Sequence, residues 1–340
     1  MKLIYIIPSL ENVGPTNVVL TLVKQLSINN KITIISFRNG ILEEEFKKYC
    51  NVFITKNPIT IFKLITNSGN SIIHSHGFYP DFLNALFSFF KITNNSFSTV
   101  HNFIKLDYTL LKGPLRGSLY AQIHKLILKL IKNPINCSKS AMIYNKISNY
   151  YIYNGVDDYY NRNKERINAK KIKVVYLGVL NKRKNPYVFL EAFKIKNRKN
   201  IELYIVGNGP DYESLKSTYE SDNIKFMGKV EKPFTILNDC DFIISSSLAE
   251  GFPLAILEGL SCGLSYILSN IPPHEEIHKL ANQNGFLINN EVSSFEQIFS
   301  LLENFNPNEF KNNCRELYLE NFTTKKMVNE YASLYMSSTQ

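Results

Sequence analysis

The sequence predicts an α/β protein built from two doubly wound, parallel-sheet domains in tandem. Three observations carry this expectation. Short apolar stretches of strand length alternate with stretches of helical periodicity along most of the chain. Several of these strands run into loops marked by Gly, Ser, His or Asn, the carboxyl ends at which parallel sheets bind ligands. The pattern also breaks at a polar seam near residues 150–168 and then starts again, with no obvious sequence repeat.

The elements follow in order. Residues 2–8 are a short apolar strand, and 11–16 a turn containing Gly14-Pro15. Val18, Val19, Leu22, Val23 and Leu26 then recur at helical spacing within 17–27. Strands are predicted at 31–37, at 71–74 before a loop over 75–80, and at 96–100 before His101-Asn102. Asn154-Gly155 signals a turn and opens the seam. Beyond it come a strand at 172–177 ending in Gly178, a helix at 187–193, and a strand at 201–206 ending in Gly207-Asn208-Gly209-Pro210. Strands at 224–227 and 242–245, a helix at 253–262 and a strand at 265–269 complete the second domain. A substrate cleft is expected between the two domains.

Length and composition agree. The 340 residues suit about two domains, and 44% hydrophobic with 20% charged residues is ordinary globular usage. No apolar run reaches the roughly 20 residues of a membrane-spanning helix. The apolar start lacks a signal peptide's basic segment and cleavage site. Five scattered cysteines form neither a metal knuckle nor a disulfide framework, which implies a reducing cytoplasm. The net charge of +10 is lopsided. Residues 1–155 hold 17 Lys and Arg against 6 Asp and Glu; the remainder is nearly balanced. This suggests an anionic partner, nucleic acid or membrane, although heavy use of Asn, Ile, Lys, Phe and Tyr points equally to proteome composition. No recognised nucleic-acid-binding module is present. Residues 104–132 carry six positive charges among apolar residues at helical spacing, including Leu119, Ile123, Leu126 and Leu130. They fit either a core helix with a solvated basic face or one lying on an anionic membrane.

The chemistry concentrates in 245–263, S-S-S-L-A-E-G-F-P-L-A-I-L-E-G-L-S-C-G. Glu250 precedes a helix that Pro253 is suited to open, and Glu258 lies about one and a half turns inside it. The amides of Gly251, Phe252 and Leu254 are placed at the helix N-terminus, a natural seat for phosphate. The two carboxylates flank that seat and suit vicinal hydroxyls, one of a sugar and one of a ribose.

This segment resembles the E-x7-E element of the retaining glycosyltransferases of family 4, which adopt the two-domain GT-B fold. Further pieces match in order: Gly14, H-S-H-G at 74–77, T-V-H-N at 99–102, Y-N-G-V-D at 153–157, L-G-V-L-N-K-R-K-N at 177–185, I-V-G-N-G-P at 205–210, F-M-G-K-V at 226–230, S-N-I-P-P-H-E-E-I at 269–277 and N-G-F-L-I at 284–288. The resemblance spans nearly the whole chain. It implies an acceptor-side domain at 1–156, a donor-binding domain at 157–322, and a C-terminal helix, 323–340, packed back on the first. By the same resemblance Glu250 binds donor-sugar hydroxyls, Glu258 the ribose, Lys184 neutralises the departing diphosphate, and His101 lies against the sugar. Gly14, Gly178, Arg183, Gly207, Gly209, Val230, Gly251, Phe252 and Leu254 complete the implied donor site. His76 is a weaker candidate; His74, His124, His274 and His278 are read as structural.

Two positions depart from the family pattern. Val179 stands where an arginine is usual, so either Lys182 or Arg183 supplies the second positive charge or the site runs with one. Pro15 replaces a second glycine and removes an amide donor. The reading is a metal-independent, cofactor-free transfer of a hexosyl or N-acetylhexosaminyl group from a nucleotide sugar, UDP-linked by preference, to a lipid-linked surface glycan. Such an enzyme is expected in the cytoplasm or peripherally at the membrane. A UDP-N-acetylglucosamine 2-epimerase-like enzyme and a non-catalytic nucleotide-sugar-binding regulator are the alternatives.

Overall fold

The computed structural model describes residues 1–161, 171–196, 198–282, 284–304 and 308–339; the later part of the polar seam, 162–168, falls outside them. The chain divides into two compact units, Met1–Gly155 with Thr324–Gln340, and Val156–Thr323.

Among the described residues the first unit has six strands: β1 (Lys2–Ile7), β2 (Lys31–Ser36), β3 (Asn51–Ile54), β4 (Ile72–Ser75), β5 (Ser96–Val100) and β6 (Asn133–Asn136). They pair in parallel throughout, in the order β3-β2-β1-β4-β5-β6. The second unit has β7 (Ile172–Leu177), β8 (Ile201–Val206), β9 (Ile224–Gly228), β10 (Phe242–Ser245), β11 (Ser265–Ser269) and β12 (Phe286–Ile288). Its order is β12-β11-β10-β7-β8-β9, again all parallel. The winding is therefore the same twice. In each unit the first strand is central, the next two lie on one side and the following three on the other. The direction of winding reverses between β1 and β4, and between β7 and β10, which marks where each sheet offers a binding crevice.

The central strands form because both faces are covered. Lys2 apart, β1 is buried along its length, and Ile4, Ile6, Ile35, Ile73, Leu83 and Phe87 make one core cluster. In the second unit Phe189, Phe193, Phe295 and Phe299 pack with Val174, Leu203 and Ile205. The helix Thr324–Thr339 belongs to the first unit. Its Tyr335 hydroxyl lies 3.2 Å from that of Tyr5 and 2.5 Å from His74 Nδ1, and Tyr331 lies 2.9 Å from Thr99 Oγ1.

Three local expectations are corrected. The expected turn over 11–16 is in part helix, which runs Gly14–Leu26 with Pro15 in its first turn, where a missing N–H costs nothing. The helix after Glu250 spans Leu254–Ser261, so Pro253 is its N-cap, in extended conformation, and Glu258 is its fifth residue. Residues 104–132 are two helices, Ile104–Lys112 and Pro114–Lys129, broken where Gly113 takes φ +80° before a proline. The second of these turns its small side inward. A Cβ on Gly117 would sit 2.4 Å from the Tyr108 carbonyl, so Gly117 and Ala121 face the core with His124, Ile127 and Leu128. Leu115, Leu119, Ile123 and Leu126 are left exposed.

Candidate donor site

β7 and β10 lie side by side at the reversal point of the second sheet, and the loops leaving their carboxyl ends carry Lys184 and Glu250. The β7 loop closes on itself. The Lys184 amide donates to Asn181 Oδ1 at 2.9 Å and the Asn185 amide to the Asn181 carbonyl at 3.0 Å. Asn185 has φ +50°, a left-handed conformation that asparagine tolerates. The β10 loop clamps this turn from the other side. Ser246 Oγ bonds the carbonyls of Asn185 at 2.7 Å and Lys184 at 3.2 Å, and the Leu248 amide donates to the Arg183 carbonyl at 2.9 Å.

The clamp brings three charges together. Glu250, 7% exposed, accepts from Lys184 Nζ and, at 2.7 Å, from Ser247 Oγ. Arg183 Nη1 lies 3.6 Å from Glu250 Oε2 and donates to the Ala249 carbonyl at 2.9 Å. Burial pushes the Glu250 carboxyl up, but the charges of Lys184 and Arg183 and the hydrogen bonds from Lys184 and Ser247 outweigh it and hold the group at about 2. The result is a fixed carboxylate with two adjacent cations. Lys184 is mostly covered but not sealed, which suits a cation that must meet a phosphate. Lys182 is exposed and Val179 points no charge anywhere near the cluster; Arg183 is the second cation beside Glu250.

Glu258 behaves differently. Burial pushes its carboxyl up to about 7. The helix carrying it has no side-chain N-cap, because Pro253 offers no hydrogen-bonding side chain. Leu254 is its first residue, and Gly251 and Phe252 precede it in the loop. The Phe252 ring is buried against Phe322 at 5.4 Å, so this residue anchors the loop while its backbone runs past the helix end. A Cβ on Gly259 would meet Ile243 at 2.8 Å, which shows how closely the helix lies on β10.

The glycines on neighbouring strand ends are demanded by packing. A Cβ on Gly207 would stand 1.8 Å from the Gly178 carbonyl oxygen, and one on Gly209 2.3 Å from that of Leu180. The Gly178 amide donates to the Val206 carbonyl at 3.0 Å, that of Gly207 to Gly228 at 2.8 Å, and that of Gly209 to Asn208 Oδ1 at 2.7 Å. Their contribution to a site is close backbone approach. Val230, partly exposed, follows β9 on the same edge of the sheet.

In the first unit, Gly14 is the first residue of its helix, and His101 follows β5. His101 Nε2 lies 2.8 Å from His76 Nδ1, and the rings of His74, His76 and His101 stack in sequence at 4.4 and 5.1 Å. Burial holds His101 at about 4 and His74 at about 3. His124, by contrast, is a structural partner of buried Asp81, at 2.8 Å.

Sequence reasoning missed Ser246 and Ser247, whose signal was the hydroxyl run directly before Glu250. It also missed the environment of His274, which bonds the Ser269 carbonyl at 2.8 Å and is held at about 4 by burial, with Glu250 pulling the other way. Among the described residues no three His, Cys, Asp or Glu side chains gather as metal ligands.

Comparisons with known proteins bear on the family and the fold. The glycosyl transferases group 1 family matches residues 158–317. The O-antigen biosynthesis glycosyltransferase WclY of Escherichia coli is 23% identical over 352 aligned residues, spanning 98% of each chain. The UDP-Gal:alpha-D-GlcNAc-diphosphoundecaprenol alpha-1,3-galactosyltransferase of E. coli is 34% identical over 172 residues, 47% of this chain and 44% of its own. The crystal structure of Anabaena Alr3699/HepE in complex with UDP and glucose superposes with TM-score 0.83 at 15% identity, over 99% of this chain and 100% of that one. The chain is a glycosyltransferase of the GT-B fold, and its second unit carries the group 1 glycosyl transferase domain.

Proposed function

We propose that the protein transfers a hexosyl or N-acetylhexosaminyl group, with retention of configuration and without a metal ion, from a UDP-sugar to a polyprenyl-linked surface glycan. The observation that carries this reading is the Lys184–Glu250–Arg183 cluster at the reversal point of the second sheet. The names of the relatives, an O-antigen enzyme and a UDP-galactose-dependent enzyme acting on a diphosphoundecaprenol-linked sugar, support the donor and acceptor classes.

In this mechanism Glu250 accepts hydrogen bonds from donor-sugar hydroxyls, Glu258 from the ribose, and the backbone of Gly251, Phe252 and Leu254 faces the sugar and phosphates. Gly178, Gly207, Gly209 and Val230 let the nucleotide approach the strand ends. The bond from C1 to the diphosphate oxygen breaks as the acceptor oxygen attacks C1 from the same face. The acceptor's proton passes to the departing diphosphate. Lys184, seconded by Arg183, stabilises the growing negative charge, so catalysis is positioning plus electrostatics.

The exposed face of the helices Ile104–Lys112 and Pro114–Lys129 suits an anionic bilayer. Leu111, Leu115, Leu119 and Leu126 are exposed among Lys112, Arg116, Lys125 and Lys129, and no described helix is long and apolar enough to span a membrane.

The test is transfer in EDTA from a panel of α-linked UDP-sugars to a polyprenyl-diphosphate-linked sugar in vesicles of anionic phospholipid. The expected product is α-linked by NMR. A β-linked product overturns retention, and turnover only with added divalent metal overturns the metal-free reading.

A further inference from the structure

His76 lies at the carboxyl end of β4 and is 1% exposed. Its Nδ1 is 2.8 Å from His101 Nε2, and its own Nε2 is buried with no hydrogen-bond partner. One proton must lie between the two facing nitrogens, so two arrangements compete. If His101 donates, His76 must carry its proton on Nε2, burying an N–H with nothing to accept it. If His76 donates, its bare Nε2 is an unsatisfied acceptor, which buried structure tolerates better than an orphaned donor. The same choice leaves His101 with its proton on Nδ1. That atom has no partner among the described residues, and His101 is partly exposed.

We propose that His76 is a positioning residue that fixes His101 as the neutral Nδ1–H tautomer, presenting that N–H as a hydrogen-bond donor to a hydroxyl of the donor sugar. The sugar contact rests on the proposed function; the tautomer does not. Burial keeps both rings neutral at pH 7 and below. The stack behind them is rigid. His74 is held by Tyr335 through Nδ1 at 2.5 Å and by Thr99 through Nε2 at 2.9 Å, and it lies flat against His76 at 4.4 Å. His76 therefore cannot turn its ring to exchange donor for acceptor without breaking into this column. The geometry resembles an outer hydrogen bond that selects a histidine tautomer elsewhere in catalysis, except that here the selecting group is a second imidazole.

The chain has six histidines, so a sample labelled with 15N in histidine resolves every ring. Long-range 1H–15N spectra at pH 7 identify which nitrogen is protonated, and loss of one spin system in His101→Gln assigns His101. The expected pattern has the bare nitrogen of His101 as the one coupled to both ring protons, Nε2. A protonated Nε2, or an imidazolium, overturns the proposal. Kinetics give an independent reading. In His76→Leu the N–H is gone and kcat falls about three- to tenfold, the worth of one neutral hydrogen bond. In His76→Asn the amide N–H replaces Nδ1–H, and activity returns to near the wild-type value. Equal kcat in the two variants overturns the positioning role. If the tautomer is as proposed but His101→Gln leaves donor KM and kcat unchanged, the sugar contact fails while the tautomer assignment survives.

Discussion

Replacing Lys184 with alanine lowers kcat at saturating donor by on the order of 10²–10³-fold while donor KM changes far less, because the lysine's charge is most valuable when the diphosphate departs. Steady-state kinetics over a donor series check this. In the ground state the diphosphate already carries its charge, and the helix N-terminus behind Leu254 and the guanidinium of Arg183 remain to hold it. What Lys184 alone adds is a cation whose position is fixed before the substrate arrives, by Glu250 and by the Asn181–Asn185 turn. The substitution has a structural cost too. Glu250 is buried and loses one of its two hydrogen-bond donors, although Ser247 and Arg183 stay. Removing one partner of such a pair is destabilising by up to about 3–5 kcal/mol when no other charge compensates, and Arg183 makes the loss smaller here. A thermal melt separates the two effects. Equal loss of kcat and donor affinity in a folded variant points to plain binding and removes Lys184 from the departure step.

Donor affinity falls by about tenfold between pH 8 and pH 6 in the wild type, and this dependence disappears in Glu258→Gln. The sign follows from burial. Glu258 in the folded protein titrates at about 7, above the ordinary carboxyl value. Only the carboxylate accepts hydrogen bonds from both ribose hydroxyls, so binding selects the ionised form and releases a proton below pH 7. The UDP-sugar is the ligand to use, because its diphosphate is blocked, whereas free UDP has a terminal phosphate that titrates at about pH 6. At pH 8 Glu258→Gln binds more weakly than the wild type by about 10- to 150-fold, the range for hydrogen bonds to a charged group, and the gap narrows about tenfold by pH 6 as the wild-type carboxyl takes up its proton. The same raised value makes the unliganded fold pH-sensitive in the opposite sense. Glu258's favourable contribution is fully present below its unfolded-state value of about 4.5 and is lost as pH rises through about 7. A nucleotide offsets that loss because its ribose hydroxyls donate hydrogen bonds to the carboxylate. Calorimetry in buffers of different ionisation enthalpy counts the released proton. A flat wild-type profile, with Glu258→Gln binding as tightly, removes the ribose role.

The interior of the fold was legible because its central strands are covered on both faces and so read as apolar runs: β1, β7, β8, β10 and β11 were each found close to their observed limits. The strands that escaped are β3, β6 and β12, all at sheet edges. β6 is N-P-I-N, with a proline that only an edge tolerates, and β3 and β12 are partly exposed along their lengths. These three lack the apolar pattern that identifies a strand, whereas β9, also at an edge, keeps Ile224 and Phe226 buried and was found. The doubled winding was invisible as a repeat for a related reason: topology is conserved by where strands pair, which leaves no residue-by-residue trace.

The site was legible as a set of residues and illegible as an arrangement. Glu250 and Lys184 stand 66 positions apart in sequence, and each was assigned a separate partner, sugar for one and diphosphate for the other. That they pair with each other follows only from β7 and β10 being neighbours. The region 104–132 was legible only as two alternatives, a core helix or one lying on a membrane. Its periodicity placed the large residues Leu119, Ile123 and Leu126 on one face, yet the close approach at Gly117 gave the core to glycine and alanine. Hydrophobic periodicity finds a helix face but does not say whether another element or a bilayer covers it.

The central claim is that the loops after β7 and β10 hold a nucleoside diphosphate without a metal ion, and titration calorimetry of UDP into the protein in EDTA tests it most directly. The expected result is one saturable site per chain, with an affinity unchanged when magnesium replaces EDTA and weakened in Glu258→Gln. Absence of saturable binding in EDTA, with binding restored by magnesium, contradicts the account, as does undiminished binding when Glu258 is replaced.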